Sequence, residues 1–317
     1  MKRIVILAGA LALLATPAAA EDSLKLAIGQ INNWENQAPT LGQDAGFFKK
    51  HGLVLENYGT AGAGETVQAV ISGSADIGGG VGVAGVMRAY QKGAPVRIIA
   101  PAFTGTSDLY WYVKADSPIK SLKDTTEKNT IAYSTNGSSS NNIVVAFVEE
   151  LGAKAKPTST GSPPATLTSV MSGQIDIGWA APPFGLQEIQ DGKIRIIARG
   201  SDVPSLRGQT VRVLIANANA LKARKDAIVR FMQGYREAVD WMYASPDAVQ
   251  MFAKKTGVAE NLVRDSMNQF QPKETMQTDK MADLDGAIRD AVKLKFLDAP
   301  LTKEQLADFI QIPPRAK

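Results

Sequence analysis

Cysteine is missing from all 317 residues. The chain therefore has neither a disulfide framework nor an N-terminal cysteine for a lipid anchor. Histidine is nearly as scarce. His51 stands alone, which excludes a His-rich metal site and leaves one candidate for any Ser-His-Asp triad. No apolar run reaches the roughly 18 to 20 residues that a membrane-spanning helix needs. Charge of one sign is nowhere concentrated: 35 Lys and Arg stand against 31 Asp and Glu, a formal +4. Nucleic acid is not indicated, because tracking phosphates needs a clustered basic face. The densest basic piece, Lys222 to Lys225 (KARK), reads as the start of a solvated helix.

What is present begins with a leader. Lys2 and Arg3 precede an unbroken small and apolar run from Ile4 to Ala15, and Ala18 to Ala20 offers a small-residue cleavage site. This pattern predicts a secretory signal peptide cut near Ala20. The expected location is the periplasm, with no lipid anchor. The remainder, in a chain that is 44% apolar, is long enough for two core-bearing units.

The chain also repeats itself. VISGSADIGGG from Val70 returns as VMSGQIDIGWA from Val170. Val67, Val70 and Ile71, and then Leu167, Val170 and Met171, fall at helical spacing. Gly73 and Gly173 stand where a left-handed helix end is wanted. Short strands (ADIG, IDIG), a second helical stretch and the apolar runs VRIIA (96–100) and IRIIA (194–198) complete each copy, the runs suiting buried parallel strands. LKLAIGQ (24–30) and LVLENYG (53–59) predict strands flanking a helix over 39–50. After the copies come LYWYVKA and VRVLIANA, β-rich segments able to carry the chain from one unit to the other. Beyond Ala220 the pattern turns helical, with a break at Ser245-Pro246 and a cap at Gly257. Two α/β lobes are implied.

These residues resemble the periplasmic substrate-binding proteins of ABC importers, the nitrate, sulfonate and taurine type. The carriers are Leu41-Gly-Gln-Asp-Ala-Gly-Phe-Phe48, Gly73 to Gly78, Gly173 to Gly178 and the tail YREAVDWMYASPDAV, and the likeness spans nearly all of the mature chain. The resemblance implies a two-lobed α/β fold, each lobe a mostly parallel sheet flanked by helices. A hinge joins the lobes, and a C-terminal helical segment packs on the first. Expected boundaries are 21–107 for lobe one, 108–206 for lobe two and 207–317 for the return to lobe one. It also implies a monomer without catalytic residues, cofactor or metal. The expected partners are a small-molecule ligand, a membrane permease and, through it, an ATPase.

Helix N-termini favour anions, so the loops before the helices are where a ligand is expected. In lobe one these are Gly62, Ala63 and Gly64, with Gly80 and Val81 after the strand. In lobe two they are Asn136, Ser138, Ser139 and Ser140. By analogy with the family, Asn32, Asn33 and Trp34, together with Trp179, Pro182 and Phe184, are expected on the cleft rim, where an indole can cover an organic group. Of Tyr110, Trp111 and Tyr112 on a crossing strand, at least one is expected to be structural, since alternate side chains face opposite ways. With no Arg or Lys in these loops, a small organic molecule bearing a sulfonate or carboxylate is favoured over bare nitrate.

Several motifs are set aside. Gly80 to Gly85 matches GxGxxG, but the acid expected on the next strand is missing. Glu65 stands where a Walker A lysine would be. SxxK at Ser117 and KTG at Lys255 lack the Ser-Asp-Asn of penicillin-recognising enzymes. His51 reads as a basic residue at a helix end. Two other functions stay open: an enzyme or pyrimidine-precursor binder on the same fold, and a sensory solute-binding module.

Overall fold

The computed structural model describes residues 21–315, so the expected signal peptide lies outside the described residues. Ten strands run in order: β1 (Asp22–Gly29), β2 (Leu53–Thr60), β3 (Ile77–Gly82), β4 (Val96–Thr104), β5 (Tyr110–Lys114), β6 (Thr130–Tyr133), β7 (Lys156–Ser159), β8 (Gly178–Ala180), β9 (Ile194–Arg199) and β10 (Thr210–Asn217). The first lobe carries a five-stranded sheet in the order β2-β1-β3-β10-β4. β1 pairs in parallel with β2 and β3, while β10 lies antiparallel between β3 and β4. Four strands thus share one direction, and the strand that opposes them returns from beyond the second lobe.

The second lobe repeats the plan. β6 pairs in parallel with β7, and β5 lies antiparallel between β8 and β9. A parallel bridge from Ile131 to Ile177 joins the two pieces. The resulting order, β7-β6-β8-β5-β9, matches that of lobe one with β5 in the place of β10. Each lobe's opposing strand is therefore the one that follows the other lobe's four in the chain, β5 after β4 and β10 after β9. VRIIA and IRIIA follow the direction of their neighbours' neighbours, but their hydrogen-bond partners are these antiparallel crossing strands.

The repeated phrase is a hydrogen-bonding scheme. Thr66 Oγ1 meets Thr60 Oγ1 at 2.7 Å and donates to Gly62 O, and Thr166 Oγ1 meets Thr160 Oγ1 at 2.6 Å and donates to Ser162 O. Asp76 accepts from the Lys25 amide at the start of β1, and Asp176 from the Thr130 amide at the start of β6. Each carboxylate closes the gap between its helix (Ala63–Ile71 or Pro163–Met171) and the central parallel strands. Gly73 and Gly173 both have positive φ, 76° and 79°, as a left-handed helix end requires.

The faces of the first sheet alternate with period two. Leu24, Leu26 and Ile28 enter the core under the helix Lys225–Ala244, while Ala27 faces the helices Ala63–Ile71 and Val83–Gln91. The predicted helix over 39–50 is broken at Gly46 (φ 85°) into Ala38–Asp44 and Phe47–Lys50. Pro246 starts a new helix, Pro246–Thr256, capped by Ser245, and Gly257 ends it with φ 73°. The KARK segment spans the junction of two helices instead of opening one. Its Arg224 is half-buried and paired with Asp76. His51 closes the Phe47–Lys50 helix and reaches Glu237 at 3.1 Å.

Candidate functional site

The lobes touch through glycine. A Cβ on Gly82 would lie 2.6 Å from the Ser139 nitrogen, and one on Gly85 would collide with the Gly137 carbonyl. The GxGxxG stretch therefore lets the start of the Val83–Gln91 helix come backbone to backbone against the loop opening the helix Ser139–Leu151. Alongside, the Gly64 amide donates to Thr135 Oγ1 at 2.9 Å. The N-terminus of the Ala63–Ile71 helix, expected to face a ligand, is thus partly capped by the opposite lobe.

Between these contacts lies a small cavity of about 20 Å³. From lobe one it is lined by Gln30, Asn33, Glu35, Asn36, Gly80 and Arg212, with Ala63 at its edge. Lobe two supplies Leu109, Ser134, Ser138 to Ser140 and Trp179. Arg212 rises from β10 and is 3% exposed. Its guanidinium pairs with the fully buried Asp108, donates to Ser139 Oγ at 3.2 Å, and lies 4.6 Å from the centre of the Phe103 ring. The Nε of Arg212 and Oδ1 of Asp108 remain without a partner.

Glu35 sits in a single turn of 3₁₀ helix, Trp34–Asn36. Its Oε1 accepts from the Asn33 and Asn36 amides at 3.4 and 3.3 Å, and its Oε2 has no partner. Burial raises the Glu35 carboxyl to about 7, against the pull of Arg212 and with a push from Asp108. Burial likewise raises Asp108, against the pull of the same guanidinium. Trp179 Nε1 is a further buried donor without a partner. The serines are more engaged: Ser138 caps the Ser139–Leu151 helix, and Ser140 Oγ accepts from the Ser134 amide at 3.0 Å.

A groove of about 340 Å³ opens outward from this cavity, sharing Gln30 and Asn33 with it and running past Asn32, Thr60, Pro164 and Phe184. The residues expected to meet a ligand divide accordingly. Asn33, Ala63, Gly80, Ser138, Ser139, Ser140 and Trp179 converge on the inner cavity, while Asn32 and Phe184 line the groove. Asn136 and Gly64 border a different depression, beside Arg88 and Lys92. Gly62 abuts Thr135 across the lobes.

Three expected positions lie elsewhere. Trp34 is fully buried edge-on against Phe252 and Tyr243, at 5.4 and 6.0 Å, because the 3₁₀ turn sends its indole under the C-terminal helices and Glu35 toward the cleft. Val81 is in the core, on the inner face of β3. Pro182 is buried, with its carbonyl held by Gln271 at 3.0 Å. Tyr110, Trp111 and Tyr112 are all fully buried. Tyr110 donates to Phe184 O and Trp111 to Ala132 O, so the crossing strand packs on both faces.

The sequence reading missed Glu35, Arg212 and Asp108. One signal was available for Arg212: a lone cation in an otherwise apolar strand, VRVLIANA. Among the described residues, no group of His, Cys, Asp and Glu is placed to hold a metal ion.

Comparison with solved structures places the architecture. The alkanesulfonate-binding protein of Xanthomonas axonopodis pv. citri, bound to MOPS, superposes with a TM-score of 0.75 at 15% identity, over 93% of this chain and 100% of that one. The periplasmic aliphatic sulphonate binding protein of Escherichia coli gives 0.69 at 17% identity, over 93% and 94%. The periplasmic nitrate-binding protein of Synechocystis PCC 6803 gives 0.67 at 15%, over 90% and 84%. At such identities the likeness is one of fold, the two-lobed periplasmic-binding-protein fold. No curated protein is detectably similar to the chain. The family model described as NMT1/THI5 like matches residues 36–249, about two thirds of the sequence; the chain belongs to the NMT1/THI5-like family.

Proposed function

We propose that this protein is the extracytoplasmic solute receptor of an ABC importer. It captures a small organic solute between its lobes and delivers it to a membrane permease served by an ATPase. One observation carries the reading: partnerless, buried polar atoms of Arg212, Glu35 and Trp179 meet in a cavity that both lobes build. Buried polar groups are normally satisfied, so such a cluster is a set of sockets for a ligand. Delivery to a permease is supported by the fold shared with periplasmic sulfonate- and nitrate-binding proteins.

In this reading lobe one is residues 21–107 with 207–317, and lobe two is 108–206. The protein acts in the periplasm as a monomer and performs no turnover. The ligand's acceptor oxygens, a sulfonate or carboxylate, meet Arg212 Nε, Trp179 Nε1 and the serine-rich start of the Ser139–Leu151 helix. Asn32 and Phe184 accompany whatever part of the ligand extends outward. A cavity of about 20 Å³ holds little more than a water molecule, so the ligand enters with the lobes parted and is held by hinge closure.

The test is thermal unfolding of the purified protein against sulfonates, carboxylates, amino acids, nitrate and pyrimidines. A true ligand at a hundredfold its Kd stabilises the fold by about 2.7 kcal/mol. Gly85→Ala, which obstructs closure against Gly137, is expected to weaken that ligand about tenfold or more. Absence of any stabilising solute, or recovery of the bound solute chemically altered, overturns the receptor reading.

A further inference from the structure

The charges inside the cleft do not suit a simple anion. Arg212 is the single cation lining the cavity, and its charge is already committed to Asp108 on one side and the Phe103 ring on another. Glu35 adds a second buried carboxylate, 5% exposed, whose Oε1 is held as an acceptor by two amides while Oε2 faces no donor. Above about pH 7, where Glu35 is ionised, the buried set of three side chains carries one more negative than positive charge. A monoanion would deepen that excess in a medium where an unpaired charge is costly to bury. A nitrogen donor would satisfy Oε2 and cancel the excess.

We propose, resting on the receptor reading above, that Glu35 is the specificity-determining residue of this cleft. It admits a solute that brings an amine, amidine or similar N–H donor to Oε2 alongside the acceptor met by Arg212 and Trp179, and it rejects plain monoanions. Acceptor and donor are thus read by two side chains from distant segments of lobe one, Arg212 on β10 and Glu35 on the turn after β1. The raised carboxyl of Glu35 is consistent with this: burial outweighs the pull of Arg212 and of the amide donors on Oε1, and a cationic donor at Oε2 would draw it back down.

Calorimetric titration of the purified protein with matched pairs at about pH 8, where Glu35 is ionised, tests the assignment. Propanesulfonate and butyrate are each compared with the ω-amino counterpart, and pyrimidine with aminopyrimidine. The amino member of a pair is expected to bind, and the parent at least about 30-fold more weakly, the usual loss when one side of a buried charge pair is removed. Glu35→Gln, checked for folding by its thermal transition, is expected to close most of that gap by weakening the amino member and strengthening the parent. A parent that binds as tightly as its amino counterpart overturns the role of Glu35 and leaves the receptor standing, whatever the variant does. A gap that persists unchanged in a folded Glu35→Gln protein also overturns it. Binding of neither member in any pair, while another solute of the wider panel stabilises the protein, overturns this inference and leaves the receptor standing; no stabilising solute at all overturns both.

Discussion

Lobe one and lobe two share a strand order, a helix and a hydrogen-bonding scheme offset by 100 positions, yet they face the cleft with different chemistry. Thr60 and Thr66 bond each other as Thr160 and Thr166 do, and Asp76 and Asp176 each accept a backbone amide of the central strand, Asp76 adding Arg224 and Asp176 the Thr130 hydroxyl. At the cleft the correspondence fails. Ile215 pairs with Gly78 and Tyr112 with Gly178. Three positions back along the chain stand Arg212, on β10, and Leu109, just before β5, both on the cavity wall. Glycine 79 in one lobe is Trp179 in the other. Positions that repeat hold the framework, and positions that do not repeat line the cavity between the lobes.

The strongest way to break this division is to write lobe two's residue into lobe one. Arg212→Leu leaves Asp108 buried without its partner, and a loss of about 3–5 kcal/mol is expected in urea unfolding. Replacing Asp108 by Leu as well should recover much of it, since an apolar pair of similar volume is often neutral.

Glu35 gives the next effect, with a sign set by linkage. Its carboxyl is raised from 4.5 to about 7 by burial, modified by Arg212 and Asp108, and Tyr235 and Tyr243 also feel its charge. Between those values the folded state binds more protons than the unfolded one. The contribution of Glu35 is therefore fully present below 4.5 and is lost as pH rises through about 7. Glu35→Gln is expected to flatten this decline and, near pH 8, to be more stable than the parent by on the order of 3 kcal/mol. Denaturant midpoints across pH measure it. No change in slope would mean that Glu35 is solvated enough to titrate normally.

The smallest effect sharpens the other half of the comparison. Thr66→Val and Thr166→Val each remove a buried hydroxyl from the same pair of bonds, and each is expected to cost about 1 kcal/mol. Unequal losses would show that the shared scheme does different work in the two lobes.

These differences explain what was legible in the sequence. The framework follows local rules: helical spacing around Val70 and Val170, glycines at positive φ, and a carboxylate after each helix. Those rules act over a few residues and leave readable traces. The site is assembled from Glu35, Asp108 and Arg212, which lie far apart in the chain and join only because β10 crosses back into the first sheet. No spacing marks such a meeting. The two tryptophans make the point locally. Trp179 lies on a strand beside the cleft, as its place after IDIG suggests, but one turn of 3₁₀ helix rotates Trp34 into the core and gives Glu35 its place. The glycines of Gly80 to Gly85 were visible, but the reason for Gly82 and Gly85, contact with the other lobe, was not.

The exchange of β5 and β10 leaves the second lobe one length of chain, β5 to β9, and splits the first lobe across it. A fragment ending before Thr210 has β3 and β4 but lacks the strand that lies between them, and a fragment starting after β5 leaves β8 and β9 equally parted. Nascent chain must therefore extend through β10 before the first sheet can close, although most of that sheet was made first. Such sequence-distant pairing slows folding. It also means that lobe two could be produced alone as a continuous stretch, whereas lobe one requires splicing the segment that ends with Thr104 to the one that begins with Thr210.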